Sequence, residues 1–237
     1  MRRAVAFLTP LGGAAAPSPA ALPWFPVVGA LLGAAVGAVW WGADRLWPPA
    51  VAAALAVAAD LVLTGALHAD GLADTADGLL PPLDAGRRLD VMADPRTGAF
   101  GVVAVVTVLL LRWAAFASRD PSVLAVAGVW CASRTAMAVA LLALTYARPG
   151  GLATPFQGGR ARTVPLAAAG GIAATALACV GLGSAMEGAA VVLAALAGAA
   201  LVLWLAVRRI GGYTGDVLGA AGMVGETAGV LAAAARW

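Results

Sequence analysis

Residues 49–78 read PAVAAALAVAADLVLTGALHADGLADTADG, and the change of character two-thirds of the way along decides how the chain is built. Residues 49–67 are apolar apart from Asp60, close to the ~20 residues a helix needs to cross a hydrocarbon core. Residues 68–78 then place the only histidine, His68, and three carboxylates, Asp70, Asp74 and Asp77, within eleven residues. The aspartates fall at i, i+4 and i+7, so on a helix they share one face. Like charges at that spacing repel one another, which calls for a positive partner. An oxygen-only cluster points to a hard divalent cation, Mg2+ first. Leu72, Ala73, Ala76, Leu79 and Leu80 fill the other positions, so the segment buries one face and presents the other.

Composition generalises the first half of that stretch. Of 237 residues, 62% are hydrophobic and 11% are charged, with a mean hydropathy of +0.92. Soluble domains lie near roughly 45–50% apolar and 25% charged. The excess is too large for a bigger core, so the chain is an all-α, polytopic integral membrane bundle forming one domain over residues 1–237. Candidate spans are 24–43, 49–67, 98–117, 123–146, 164–183 and 189–207. Residues 217–235 are a weaker seventh, because Glu226 interrupts them and their glycines lower helix stability. Arg2-Arg3 and the short apolar piece after them suggest an interfacial N-terminal segment rather than a cleaved signal.

The positive-inside rule orients these spans. With the N-terminus cytoplasmic, inner segments hold ten arginines (2, 3, 87, 88, 96, 148, 160, 162, 208 and 209) and outer ones three (45, 119 and 236). The acidic segment 68–97, the loop 148–162 and the turn at 211–216 then share the inner face. All fifteen basic residues are arginine, and the net charge of +3 is ordinary for a protein with basic inner loops, so no nucleic-acid partner is implied. Cys131 and Cys179 sit in apolar runs and match neither a disulfide framework nor a zinc site.

Further candidates lie elsewhere along the chain. Asp94 and Arg96 precede the third span, where one suits a cation shell and the other a phosphate. Residues 211–219 read GGYTGDVLG. Their glycines leave backbone N–H groups free for phosphate, and Asp216 adds a remote carboxylate that could share the metal with Asp70, Asp74 and Asp77. Asp60, Arg134 and Glu226 lie at bilayer depth, where charges are costly and mark function; Arg134 and Glu226 make a plausible pair. His68 is a candidate general base. Clustered aspartates beside cytoplasmic arginines suit Mg2+-dependent transfer of a phosphate-linked group from an activated nucleotide to an alcohol.

The block from His68 to Gly78 resembles the signature of the cobalamin synthase (adenosylcobinamide-GDP ribazoletransferase) family. The resemblance continues through Met92-Ala-Asp94-Pro-Arg96-Thr-Gly98-Ala-Phe-Gly101, Ser133-Arg134 and Gly211-Gly-Tyr-Thr214-Gly215-Asp216-Val-Leu-Gly219, with Glu226 beyond. Pro10 and Leu11 stand where the family usually has an arginine, and Pro95 where it has a serine. The resemblance implies an Mg2+-dependent enzyme of the bacterial cell membrane, its active site facing the cytoplasm, that joins adenosylcobinamide-GDP to alpha-ribazole or its 5'-phosphate and releases GMP. It also implies a metal on Asp70, Asp74 and Asp77 completed by Asp94 or Asp216, with phosphate contacts from Arg96, Arg134 and the Thr214-Gly215-Asp216 turn, and it leaves a homo-oligomer open. Two other classes compete. CDP-alcohol phosphatidyltransferases also carry clustered aspartates, but need an Asp-Gly followed by Ala-Arg where this chain has Ala73-Asp74. A secondary transporter would use Asp60, Arg134 and Glu226 as a midplane path, but would not carry so dense an acidic patch on an inner segment.

Overall fold

The computed structural model describes residues 1–13, 16, 18–148 and 162–236. Among these residues all regular structure is helical. A short α1 (Arg2–Leu8) precedes α2 (Phe25–Asp44), α3 (Pro49–Thr64), α4 (Leu67–Leu79), α5 (Ala85–Val91), α6 (Ala99–Ala117), α7 (Val123–Ala143), α8 (Thr163–Leu182), α9 (Ala185–Ile210) and α10 (Gly215–Ala233). Six of these, α2 and α6 to α10, are long and apolar enough to cross a membrane. The protein is an all-α polytopic membrane protein.

The structure redraws the second and last expected spans. Residues 49–67 are not one straight helix: α3 ends at Thr64, and α4 leaves it at 89°. The corner is made by Gly65 (φ +59°) and Ala66 (φ +56°). Two successive left-handed residues cannot continue a right-handed helix, and Ala66 is the only non-glycine with positive φ among the described residues. We therefore treat α3 as the membrane leg and α4 as a segment lying outside the spanning helices. The expected weak seventh span is an unbroken helix of 19 residues, α10, most of it buried. Its glycines are contact points: a Cβ on Gly225 would lie 2.7 Å from the Ala195 carbonyl oxygen of α9.

Between helices in lipid, association rests on close van der Waals packing of small residues. Gly29, Gly33 and Gly37 recur every fourth residue along α2, and Cβ atoms there would fall 2.5–2.8 Å from Trp130, Val126 and Val123 of α7. Gly128, on α7, meets α8 at Ala174. As a result α7 is the hub of the bundle, buried along most of its length, whereas α8 is largely exposed. α7 ends at Ala143, three residues short of the expected boundary, because the chain then extends to pair with the α9–α10 turn.

Candidate functional site

α4 is held at both ends and along one side. At its C-terminus, Arg88 donates to the Gly78 and Leu79 carbonyls at 2.8 Å each, and Arg209, in the last turn of α9, donates to Leu79 and Leu80. Cations at the free carbonyls of a helix end satisfy both the orphan acceptors and the dipole. Along its side Gly71 lets α10 approach; a Cβ there would sit 2.8 Å from the Asp216 carbonyl oxygen.

A second clamp positions the opposing elements. Tyr213 N donates to Thr145 O (3.0 Å) and Ala147 N to Tyr213 O (2.9 Å), a single parallel bridge. Gly212 permits it, since a Cβ there would fall 2.2 Å from the Thr145 oxygen. Thr214 caps α10 by accepting from Val217 N, and its hydroxyl lies 3.2 Å from Asp216 Oδ2. The bridge brings Arg148 to Asp216, with Nη2 3.7 Å from Oδ2. Gly215 is open: nothing lies within 4 Å of where its Cβ would stand.

Asp70, Asp74, Asp216 and Arg148 thus share one water-accessible face at one end of the bundle. Burial, followed by the carboxylates of Asp216, Asp70 and Asp77, pushes the Asp74 carboxyl up from 3.8 to about 6, with Arg148 opposing. The face therefore carries more negative charge than its single arginine balances. Tyr213, three residues before Asp216, is fully buried, its hydroxyl without a partner among the described residues. Burial pushes that phenol up to about 12, so it stays neutral.

The other expected site residues lie elsewhere. Asp77 is turned away from the face: its carboxylate accepts from Gly98 N (2.7 Å) and Gly101 N (2.9 Å), capping α6. Asp94 and Arg96 form an exposed two-bond pair (2.7 and 2.9 Å) with each other, which holds the Asp94 carboxyl down at about 2. Among the described residues no three His, Cys, Asp or Glu side chains, those of Asp70, Asp74, Asp77 and Asp216 included, already converge to hold a metal ion. Arg160 of the expected inner loop lies outside the described residues.

His68, Arg134 and Glu226 belong to a buried network instead. Arg134 is wholly buried and pairs with Glu226 Oε1, while Arg112 pairs with Asp60 and lies 3.1 Å from Glu226 Oε2. Trp130 Nε1 donates to Asp60 (3.0 Å) and Arg112 Nε to Thr227 (3.2 Å). Two guanidinium groups face two carboxylates, so the cluster is balanced, as charge at this depth requires. Arg134 Nη2 also lies 3.2 Å from His68 Nδ1. Because a guanidinium only donates, Nδ1 accepts, and the imidazole is the neutral form with its proton on Nε2. The nitrogen that a general base needs is occupied. Arg112 was not among the expected residues, although a lone arginine inside LLLRWAAF gave the same signal as Arg134.

Spanning helices with an acidic, water-accessible face at one end define a polytopic membrane protein with a carboxylate-rich surface site. The chain belongs to the cobalamin-5-phosphate synthase family, which it matches over residues 1–234. It is 42% identical over 214 residues to an adenosylcobinamide-GDP ribazoletransferase of Bradyrhizobium diazoefficiens, covering 89% of this chain and 81% of the relative. It is also 42% identical over 212 residues to the protein of that name from Ralstonia nicotianae (86% and 80%) and 37% identical over 211 to that of Chlorobium phaeovibrioides (86% and 83%). No solved structure matches it.

Proposed function

We infer that this protein is an adenosylcobinamide-GDP ribazoletransferase, joining adenosylcobinamide-GDP to alpha-ribazole or its 5'-phosphate with release of GMP. One observation carries the reading beyond family membership: Asp70 and Asp74 of α4 share a face with Asp216 of α10 and Arg148, at one end of a membrane bundle. In the reaction a ribose hydroxyl forms a bond to the phosphorus on the cobinamide side, the bridging P–O bond breaks, and GMP leaves with the electron pair. The hydroxyl proton is lost to solvent or to the departing phosphate.

The donor set fits Mg2+. All candidate ligands are carboxylate oxygens, and Mg2+ sites commonly use one or two carboxylates, with substrate phosphates and water completing the shell. Such a site needs no preformed cage of three side chains. Asp70 and Asp74, with Asp216 opposite, would hold the ion; bound there, it would neutralise pyrophosphate charge and polarise the phosphoryl group. Arg148 offers phosphate a planar pair of donors. The open Gly215 leaves the first N–H groups of α10 accessible to an anion, and Thr214 fixes that helix start. Asp77, His68, Arg134 and Glu226 serve by holding α4, and Asp94 with Arg96 by shaping the segment before α6. The arginine bias supports a face turned to the cytoplasm, where nucleotides are found, and the membrane in this reading is a bacterial cell membrane.

The transporter reading is disfavoured, because every charged group of the buried network is already paired, leaving none for a cargo ion. Purified protein in detergent, with no gradient, should release GMP from the two substrates when Mg2+ is present and stop when it is chelated. Arg148→Gln should raise the KM for the nucleotide substrate by about tenfold or more, the size of one lost charge-assisted hydrogen bond. No GMP from the complete mixture would refute the assignment.

A further inference from the structure

A cavity of about 560 Å³ lies between α7, α8 and α9, walled by Ala136, Ala140, Gly171, Leu196, Ala200 and Trp204, among others. Nearly all its lining is aliphatic, and the small residues on α7 and α9 create the space. Three features of its position identify an occupant.

The first is separation from the acidic face. The α7 residues that line the cavity centre on the side of that helix opposite Arg134, with Ala132, Ala136, Val139 and Ala143 at the middle and Thr135 and Ala140 at the flanks. A ligand there is therefore divided by the hub helix from the polar network and from α4. The second is shape. The lining runs from Ala132 to Ala143 on α7 and from Leu196 to Val207 on α9, which at 1.5 Å per residue is ~16 Å along each helix. That is about half of the ~30 Å hydrocarbon core, the depth of one leaflet. The third is charge. At the end where the lining reaches Val207, the next residue is the exposed Arg208, whose guanidinium lies 5.5 Å from the Trp204 ring. The exposed Arg162 immediately precedes α8 at the same end, about a turn and a half before the lining residue Ala167.

We propose that this cavity is a binding site for a membrane phospholipid with an anionic headgroup. Its acyl chain lies between α7, α8 and α9, and its phosphate is held near Arg208 and Arg162. The walls are apolar apart from Thr135, whose hydroxyl is already given to the Cys131 carbonyl, and the indole N–H of Trp204, so the chain binds by burial of methylenes and the headgroup by charge. α8, the least buried spanning helix, gains through the lipid the packing that protein alone does not give it.

Native mass spectrometry of the full chain, released from nanodiscs of phosphatidylglycerol and phosphatidylcholine in equal parts, tests this. Wild type should retain phosphatidylglycerol in preference to phosphatidylcholine. Ala140→Phe with Ala200→Phe, which fill the cavity, should cut that retention by about tenfold or more, as expected when two or three methylenes lose their burial. Arg208→Gln should keep a lipid but lose the preference, and Val106→Phe, on the exposed flank of α6, should change nothing. Should the double variant not fold, Ala140→Leu replaces it, read as the loss of the rise in melting temperature that added phosphatidylglycerol gives wild type. Undiminished retention in the filled variant, equal retention of the two lipids by wild type, or no retained lipid at all would each overturn the proposal.

Discussion

At Asp74, burial and three neighbouring carboxylates act against the ionised form, and Arg148 alone acts for it. The folded carboxyl titrates near 6 and the unfolded one near 3.8, so between those values the folded chain holds a proton that the unfolded chain has released. Linkage then fixes the sign: this residue costs stability in full above the folded value, and the cost is relieved as pH falls through 6 toward 3.8. Asp74→Asn should therefore raise the melting temperature of chelated protein near pH 8, with the gain fading toward pH 4. Thermal unfolding in detergent at the two pH values measures it; a stability loss at the higher pH would contradict the reading. His68 illustrates the limit of residue-level inference. Its place in the motif suggested proton transfer, yet the contact with Arg134 Nη2 occupies the nitrogen a base would use. Nothing in the sequence near His68 announces an arginine 66 positions later.

Among the elements, α4 depends on where its neighbours allow it to lie. Gly71 and Asp216 touch through backbone, so Gly71→Val should wedge α4 away from α10 and separate Asp70 and Asp74 from Asp216. We expect GMP release to fall by about a hundredfold, since a displacement of the order of 1 Å costs that much, while helix content by circular dichroism stays unchanged. Six of the expected apolar segments coincide with long helices to within a few residues at each end, because apolar length is a local property. The bend at Gly65 and Ala66 was not, since a left-handed alanine carries no sequence mark and the apolar run continues across it. The i, i+4, i+7 spacing correctly put the aspartates on a helix. It could not reveal that Asp77 would be drawn off to cap α6 through Gly98 and Gly101, a partnership set by tertiary packing. Asp94 and Arg96, a carboxylate suited to a cation shell and an arginine suited to phosphate, stand two residues apart and pair with each other.

Across the whole molecule, one balanced charge cluster ties α3, α6, α7 and α10 together and reaches α4 through His68. Breaking a buried pair leaves an uncompensated charge and costs about 3–5 kcal/mol. Glu226→Leu strands the Arg134 guanidinium and leaves Arg112 with Asp60 alone, and should lower the melting temperature strongly. Adding Arg134→Met should restore part of the loss, because the stranded guanidinium is then gone and Arg112 and Asp60 remain as a balanced pair. Pairing of Arg134 with Glu226 was foreseeable from two charges in apolar runs; Arg112, the member that joins Glu226 to Asp60, completes it only in three dimensions. The cluster fixes the framework, and the chemistry is left to the face it supports. The most direct test of that division is the rate of GMP release by Asp74→Asn compared with wild type, at saturating Mg2+ and with both substrates. The account predicts a loss of about a hundredfold or more in a variant that is folded and, with Mg2+ chelated near pH 8, more stable than its parent. Full Mg2+-dependent activity in Asp74→Asn would contradict it.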